Sequence, residues 1–108
     1  MVPKIGTLIV LVILTTICVS AQQGLTLTVG RLTYSGTYIH QNISVKNETS
    51  NVVRDVKVEC GFFKNGELIA ASSAYVENII PNTSGFVTVL ERTDVSPDRA
   101  ECRIVSVR

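Results

Sequence analysis

From Val52 to Phe63 the chain alternates with a period of two, so that Val56, Val58, Cys60 and Phe62 share one face of an extended segment and Asp55, Lys57 and Glu59 the other. Lys64-Asn65-Gly66 follows. Asn-Gly between two apolar segments is a strong hairpin signal, because a type I′ turn needs positive φ at both central residues. The returning strand is Glu67 to Val76, and Cys60 is expected to point into the core.

The same pattern extends in both directions. Leu25-Thr26-Leu27-Thr28-Val29 reads as a first strand, stopped by Gly30, and Tyr34 to Gly36 as a bend. Tyr38 to Lys46 reads as a second strand, with Ile39, Ile43 and Val45 as its apolar members, and Asn47 to Asn51 as a polar turn. Ile79 to Gly85 reads as a connection, since Pro81 is barred from a central strand. Gly85 to Leu90 is expected to be another strand, with Phe86 as its large inward residue, and Arg99 to Val107 the last, with Ala100, Cys102 and Ile104 on one face. No stretch sustains a 3.6-residue period, so the expectation is all-β, with six or seven mostly antiparallel strands.

The N-terminal 21 residues differ from the rest. Lys4 precedes an apolar run from Ile5 to Val19, and Val19-Ser20-Ala21 places small residues where signal peptidase requires them. Residues 1–21 are therefore expected to be a secretory signal, cleaved between Ala21 and Gln22, and residues 22–108 a single domain. A spanning helix needs about 20 apolar residues, more than this run offers, so contact with a membrane is expected only through an uncleaved signal. Lipoprotein processing at Cys18 is disfavoured by the bulky Ile17 before it.

After the signal, nine basic residues face nine acidic ones, interspersed along the chain. This balance offers nothing to nucleic acid, and no basic helix suggests a membrane surface. A domain of this length buries a low fraction of its surface and often carries a covalent staple. Cys60 and Cys102 remain in an export compartment that permits disulfides. No CxxC spacing accompanies them, so a structural disulfide is favoured over free thiols or a redox or metal pair. Both lie at mid-strand positions whose side chains can point inward, as a disulfide inside a sandwich requires.

Three segments in order resemble the FxLYD-type domains, small immunoglobulin-like modules of exported bacterial and archaeal proteins. They are Ile43-Ser44-Val45-Lys46-Asn47-Glu48-Thr49, then Val56 to Gly66, then Ile79-Ile80-Pro81-Asn82-Thr83-Ser84-Gly85-Phe86-Val87 with Val89. The resemblance covers roughly residues 38–90. Where the family motif reads Phe-x-Leu-Tyr-Asp this chain has Cys60-Gly61-Phe62-Phe63-Lys64, and Asn82 replaces a glycine after Pro81. The resemblance implies a small immunoglobulin-like β-sandwich outside the cytoplasm, used for adhesion or scaffolding without catalysis, and it transfers no site residues.

Candidate chemistry is sparse. His40 lies opposite the phase of Ile39 and Ile43 and is expected on the outer face. A triad could be written with Ser44 or Ser72, yet no GxSxG elbow is present. No acidic loop suggests calcium, and no cofactor motif is found. Asn42, Asn47 and Asn82 begin N-x-Ser/Thr sequons, which are glycan acceptors only in a eukaryotic secretory pathway. With Phe62 in the core, Phe63 would face outward beside the hairpin, as a partner contact or as packing against Leu68 or Ile69. The function expected is that of an exported, non-enzymatic binding or accessory module, periplasmic or secreted, whose partner is another envelope or secreted protein. The alternatives are a small secreted carrier holding an apolar ligand between its sheets, and an enzyme or inhibitor with an unrecognised site.

Overall fold

The structure is a computed structural model that describes residues 18–22 and 24–108. Among these residues it has seven strands: β1 (Cys18–Gln22), β2 (Leu25–Ser35), β3 (Tyr38–Asn47), β4 (Val53–Lys64), β5 (Glu67–Ile79), β6 (Ser84–Arg92) and β7 (Arg99–Val107). They form two antiparallel sheets, one in the order β1-β2-β3-β6 and the other β5-β4-β7. The fold is the expected all-β sandwich. Residues 1–17 of the expected signal lie outside the described residues. The expected junction between Ala21 and Gln22 falls within β1.

The two sheets pack through the inward members of each alternation. Leu25, Leu27, Ile39, Val45, Val56, Val58, Phe62 and Val89 are fully buried and fill the space between the sheets. Asn65 and Gly66 both have positive φ, at 52° and 82°, and join β4 to β5 as the hairpin signal requires. Gly85 sits where β6 passes close to β5: a Cβ there would collide with Val76 Cγ1 and press on Ile79. Gly85→Ala is therefore expected to lower stability by about 2 kcal/mol, read as a lower denaturation midpoint with unchanged slope.

Two expectations are corrected. Gly30 does not end the first strand: β2 continues to Ser35 through a bulge that sets Gly30 and Arg31 against one residue of β3. The extra residue switches the phase, so Leu32 and Tyr34 join the core side after Leu25, Leu27 and Val29. Phe86 points outward and is 78% exposed, because Val87 and Val89, with Gly85, take the inner face of β6. The expected Cys60–Cys102 disulfide is present, and it links adjacent strands of one sheet, opposite each other in the β4–β7 pairing.

Candidate functional site

The outer face of the three-stranded sheet carries a surface cleft of about 490 Å³, and its shape follows from Gly61. Gly61 stands at mid-strand on β4 in the outward phase, and the missing side chain leaves bare backbone. Leu68 and Phe63 lie over it: a Cβ at Gly61 would meet Leu68 Cδ1 at 3.1 Å and Phe63 Cε1 at 3.5 Å. A large side chain covering a strand glycine restores packing where the sheet would otherwise be thin.

Phe63 faces outward as expected and is half-buried. It pairs with Leu68 across β5 and with Arg99 across β7. The Arg99 guanidinium lies 4.2 Å from the ring centroid, a cation–π stack that holds the Phe63 ring at the cleft. Opposite-charge pairs mark the sides: Arg103 Nη2 meets Glu59 Oε1 at 3.1 Å, and Arg99 pairs with Glu101. All four side chains are substantially exposed, so each pair contributes little to stability and serves mainly to place charge around an apolar floor. The arrangement suits an apolar side chain carried on a polar partner segment.

The opposite face, on the four-stranded sheet, has a smaller depression of about 270 Å³ over the Gly30 bulge, bordered by Arg31, Asn42, Ser44 and the exposed Phe86. The pairing of β3 gives His40 the cross-strand neighbours Thr33 and Leu90. Ser44 stands further along β3 between Thr28 and Phe86. Ser72 is on β5, in the other sheet, and its hydroxyl donates to the Leu90 carbonyl at 3.1 Å.

The three sequons are separated by burial. Asn42 and Asn82 are exposed, whereas Asn47 is fully buried with its amide engaged on both sides. Two buried polar side chains, Asn47 and Gln41, were given no role by the alternation. Gln41 Nε2 donates to the carbonyls of Gly30 and Arg31, at 3.0 and 3.2 Å, and so closes the bulge in β2. The signal was present in β3, where a glutamine occupies the inward phase between Ile39 and Ile43.

Cys60 and Cys102 are joined at 2.05 Å, with Cys60 fully buried. A structural disulfide fits an oxidising compartment. No family model matches the chain, and neither the curated proteins nor the solved structures contain a match to it.

Proposed function

We propose that this is an extracytoplasmic, non-enzymatic binding or accessory module that engages another envelope or secreted protein through the outer face of its three-stranded sheet. The observation that carries this reading is the cleft over Gly61, with Phe63 and Leu68 as apolar walls and ion pairs beside them. An apolar recess with a charged border fits the division between anchor and rim found where proteins meet. The disulfide, the leader-like N-terminus and the resemblance to FxLYD-type modules support a bacterial periplasmic or secreted setting. The inter-sheet space is filled by Phe62, Leu27 and Ile39, which counts against a ligand carried between the sheets.

The test is a crosslinking pull-down from the native envelope fraction, with Phe63→Ser and Phe86→Ser compared with the parent. We expect one specific partner that Phe63→Ser releases at least about tenfold, as for loss of an aromatic anchor, while Phe86→Ser retains it. A partner lost only in Phe86→Ser would move the contact to the other sheet. A folded, thiol-free domain that captures nothing would overturn the reading.

A further inference from the structure

The three-stranded sheet ends at β7, whose outer edge has no strand partner among the described residues. The backbone groups it offers follow from its pairing with β4. Asp55 and Arg108 exchange backbone hydrogen bonds, at 2.8 and 3.2 Å, so Asp55 and the residues two and four further along β4 bond to this neighbour. Cys60 falls in the other phase, and the 4.0 Å between the Cα atoms of Cys60 and Cys102 is the close spacing of a non-hydrogen-bonded pair. Ala100, Cys102 and Ile104 therefore turn their N–H and C=O groups away from β4, toward the open edge. Their side chains face the core, yet Ala100 and Cys102 are only half-buried. A strand laid along β7 would use these backbone groups and cover those side chains.

We propose that the occupant is β7 of a second copy, running antiparallel, with Cys102 of one chain opposite Cys102 of the other on a two-fold axis. The hydrogen-bonding phase admits only registers that oppose Ala100, Cys102 and Ile104 to one another or to positions an even number of residues away. Charge then selects among these registers, because Arg99, Glu101 and Arg103 are exposed on the outer face of the same strand. Centred on Cys102, each Glu101 meets Arg103 of the other chain, and each Ala100 meets Ile104. Centred one residue earlier, Glu101 opposes Glu101 and Arg99 opposes Arg103. Centred one residue later, Arg103 opposes Arg103. Like charges directly opposite are destabilising, so of these three registers the one centred on Cys102 is favoured; a register centred on Ala100 would also oppose Arg99 to Glu101, but it overlaps far less of β7.

Edge strands are commonly guarded by charges that repel an incoming strand. Here the sign alternates, and the edge is complementary to its own copy. The interface is isologous, and it joins two three-stranded sheets into one continuous sheet. β1 runs close to β7, and its residues up to Ala21 belong to the segment expected to leave with the signal. The association is accordingly that of the processed protein. It uses the backbone edge of β7, whereas the Gly61 cleft lies on the sheet's face, with Glu101 and Arg103 bordering both.

Sedimentation equilibrium on the exported protein, expressed as the full chain and with its intact mass recorded, tests the proposal. We expect a dimer that weakens as salt is raised. Glu101→Lys and Arg103→Glu should each weaken it by about tenfold or more, since each turns attractive cross-strand pairs into repulsive ones. The double variant Glu101→Arg/Arg103→Glu should restore it. Thermal midpoints near the parent's show that the fold survives, and Glu101→Lys leaves the Glu59–Arg103 pair in place. A monomer at about 0.5 mM overturns the proposal, as does a dimer that neither single variant weakens. Single variants that dissociate without rescue by the double swap overturn the register. Phe63→Ser leaves the β7 backbone free, so failure of the partner pull-down and failure of this association are separate results.

Discussion

Replacing Cys60 and Cys102 together by alanine will lower the thermal midpoint by about 15–30 °C. The bond closes a loop of about 43 residues, for which loss of chain entropy in the unfolded state is worth roughly 4 kcal/mol. In a domain of this size each kcal/mol moves the midpoint by about 4–8 °C. Alanine is the appropriate replacement, because a serine hydroxyl at the fully buried position 60 would add a cost unrelated to the crosslink. The closed segment contains β5 and β6, which belong to different sheets, so the bond restricts pairing in both. It also fastens β7, whose one sheet neighbour among the described residues is β4. Reduction of the parent should reproduce the variant's midpoint, and hydrogen exchange should show β7 losing protection before β3 and β4. A midpoint shift under about 5 °C would mean that the unfolded chain is not substantially restricted by this bond.

The centre of the fold was legible because two independent signals agreed there. Val56, Val58, Cys60 and Phe62 set the phase of β4, and Asn65-Gly66 set the direction of its return. The phase placed Cys60 inside and Phe63 outside, where the structure has them. In β6 the sequence offers two competing apolar sets, Phe86 and Leu90 on one phase and Val87 and Val89 on the other. A shift of one residue moves every side chain to the other face, and size favoured Phe86. What decides the matter is the approach of β5: Gly85 is the residue that Val76 and Ile79 can tolerate against them.

The candidate site was only partly legible. Phe63 was singled out from its phase, but the recess beside it depends on Gly61, Leu68 and Arg103, which come from three strands. Local spacing carries no information on which residues of β5 and β7 fall opposite Phe63, particularly as a register shift follows Phe62. The bulge in β2 was hidden for a related reason. Gly30 is a sufficient stop signal when taken alone, and its carbonyl finds a partner only because Gln41 stands on the neighbouring strand. The disulfide pairing was open to reading from two cysteines, but whether it lay within or between sheets depended on strand order, which the alternation does not encode.

Asn47→Ala is expected to cost about 3 kcal/mol, the second largest effect. Asn47 ends β3, and its side chain holds together the turn that follows and the end of β5. Nδ2 donates to the carbonyls of Asn51 and Ile79, each at 2.8 Å, while Oδ1 accepts from the Thr49 amide at 2.9 Å and the Thr49 hydroxyl at 2.6 Å. Its backbone also pairs with the next connection, donating to Thr83 and accepting from Asn82. Alanine leaves the Ile79 carbonyl without its partner in a buried position, and an orphaned group costs about 1–3 kcal/mol beyond the bonds lost. Asn47→Asp separates hydrogen bonding from size. It keeps an acceptor for Thr49 but turns a carboxylate oxygen toward two carbonyls, so burial and repulsion should raise its folded pKa above the ordinary value of about 3.9. A raised folded pKa means that the protonated variant is the more stable one. The stability deficit of Asn47→Asp relative to the parent should therefore shrink as pH falls from 7 toward 4, whereas that of Asn47→Ala should stay constant. Urea denaturation of all three proteins at both pH values measures this, and parallel behaviour of the two variants would show that the amide's hydrogen bonds are not what holds the three segments together.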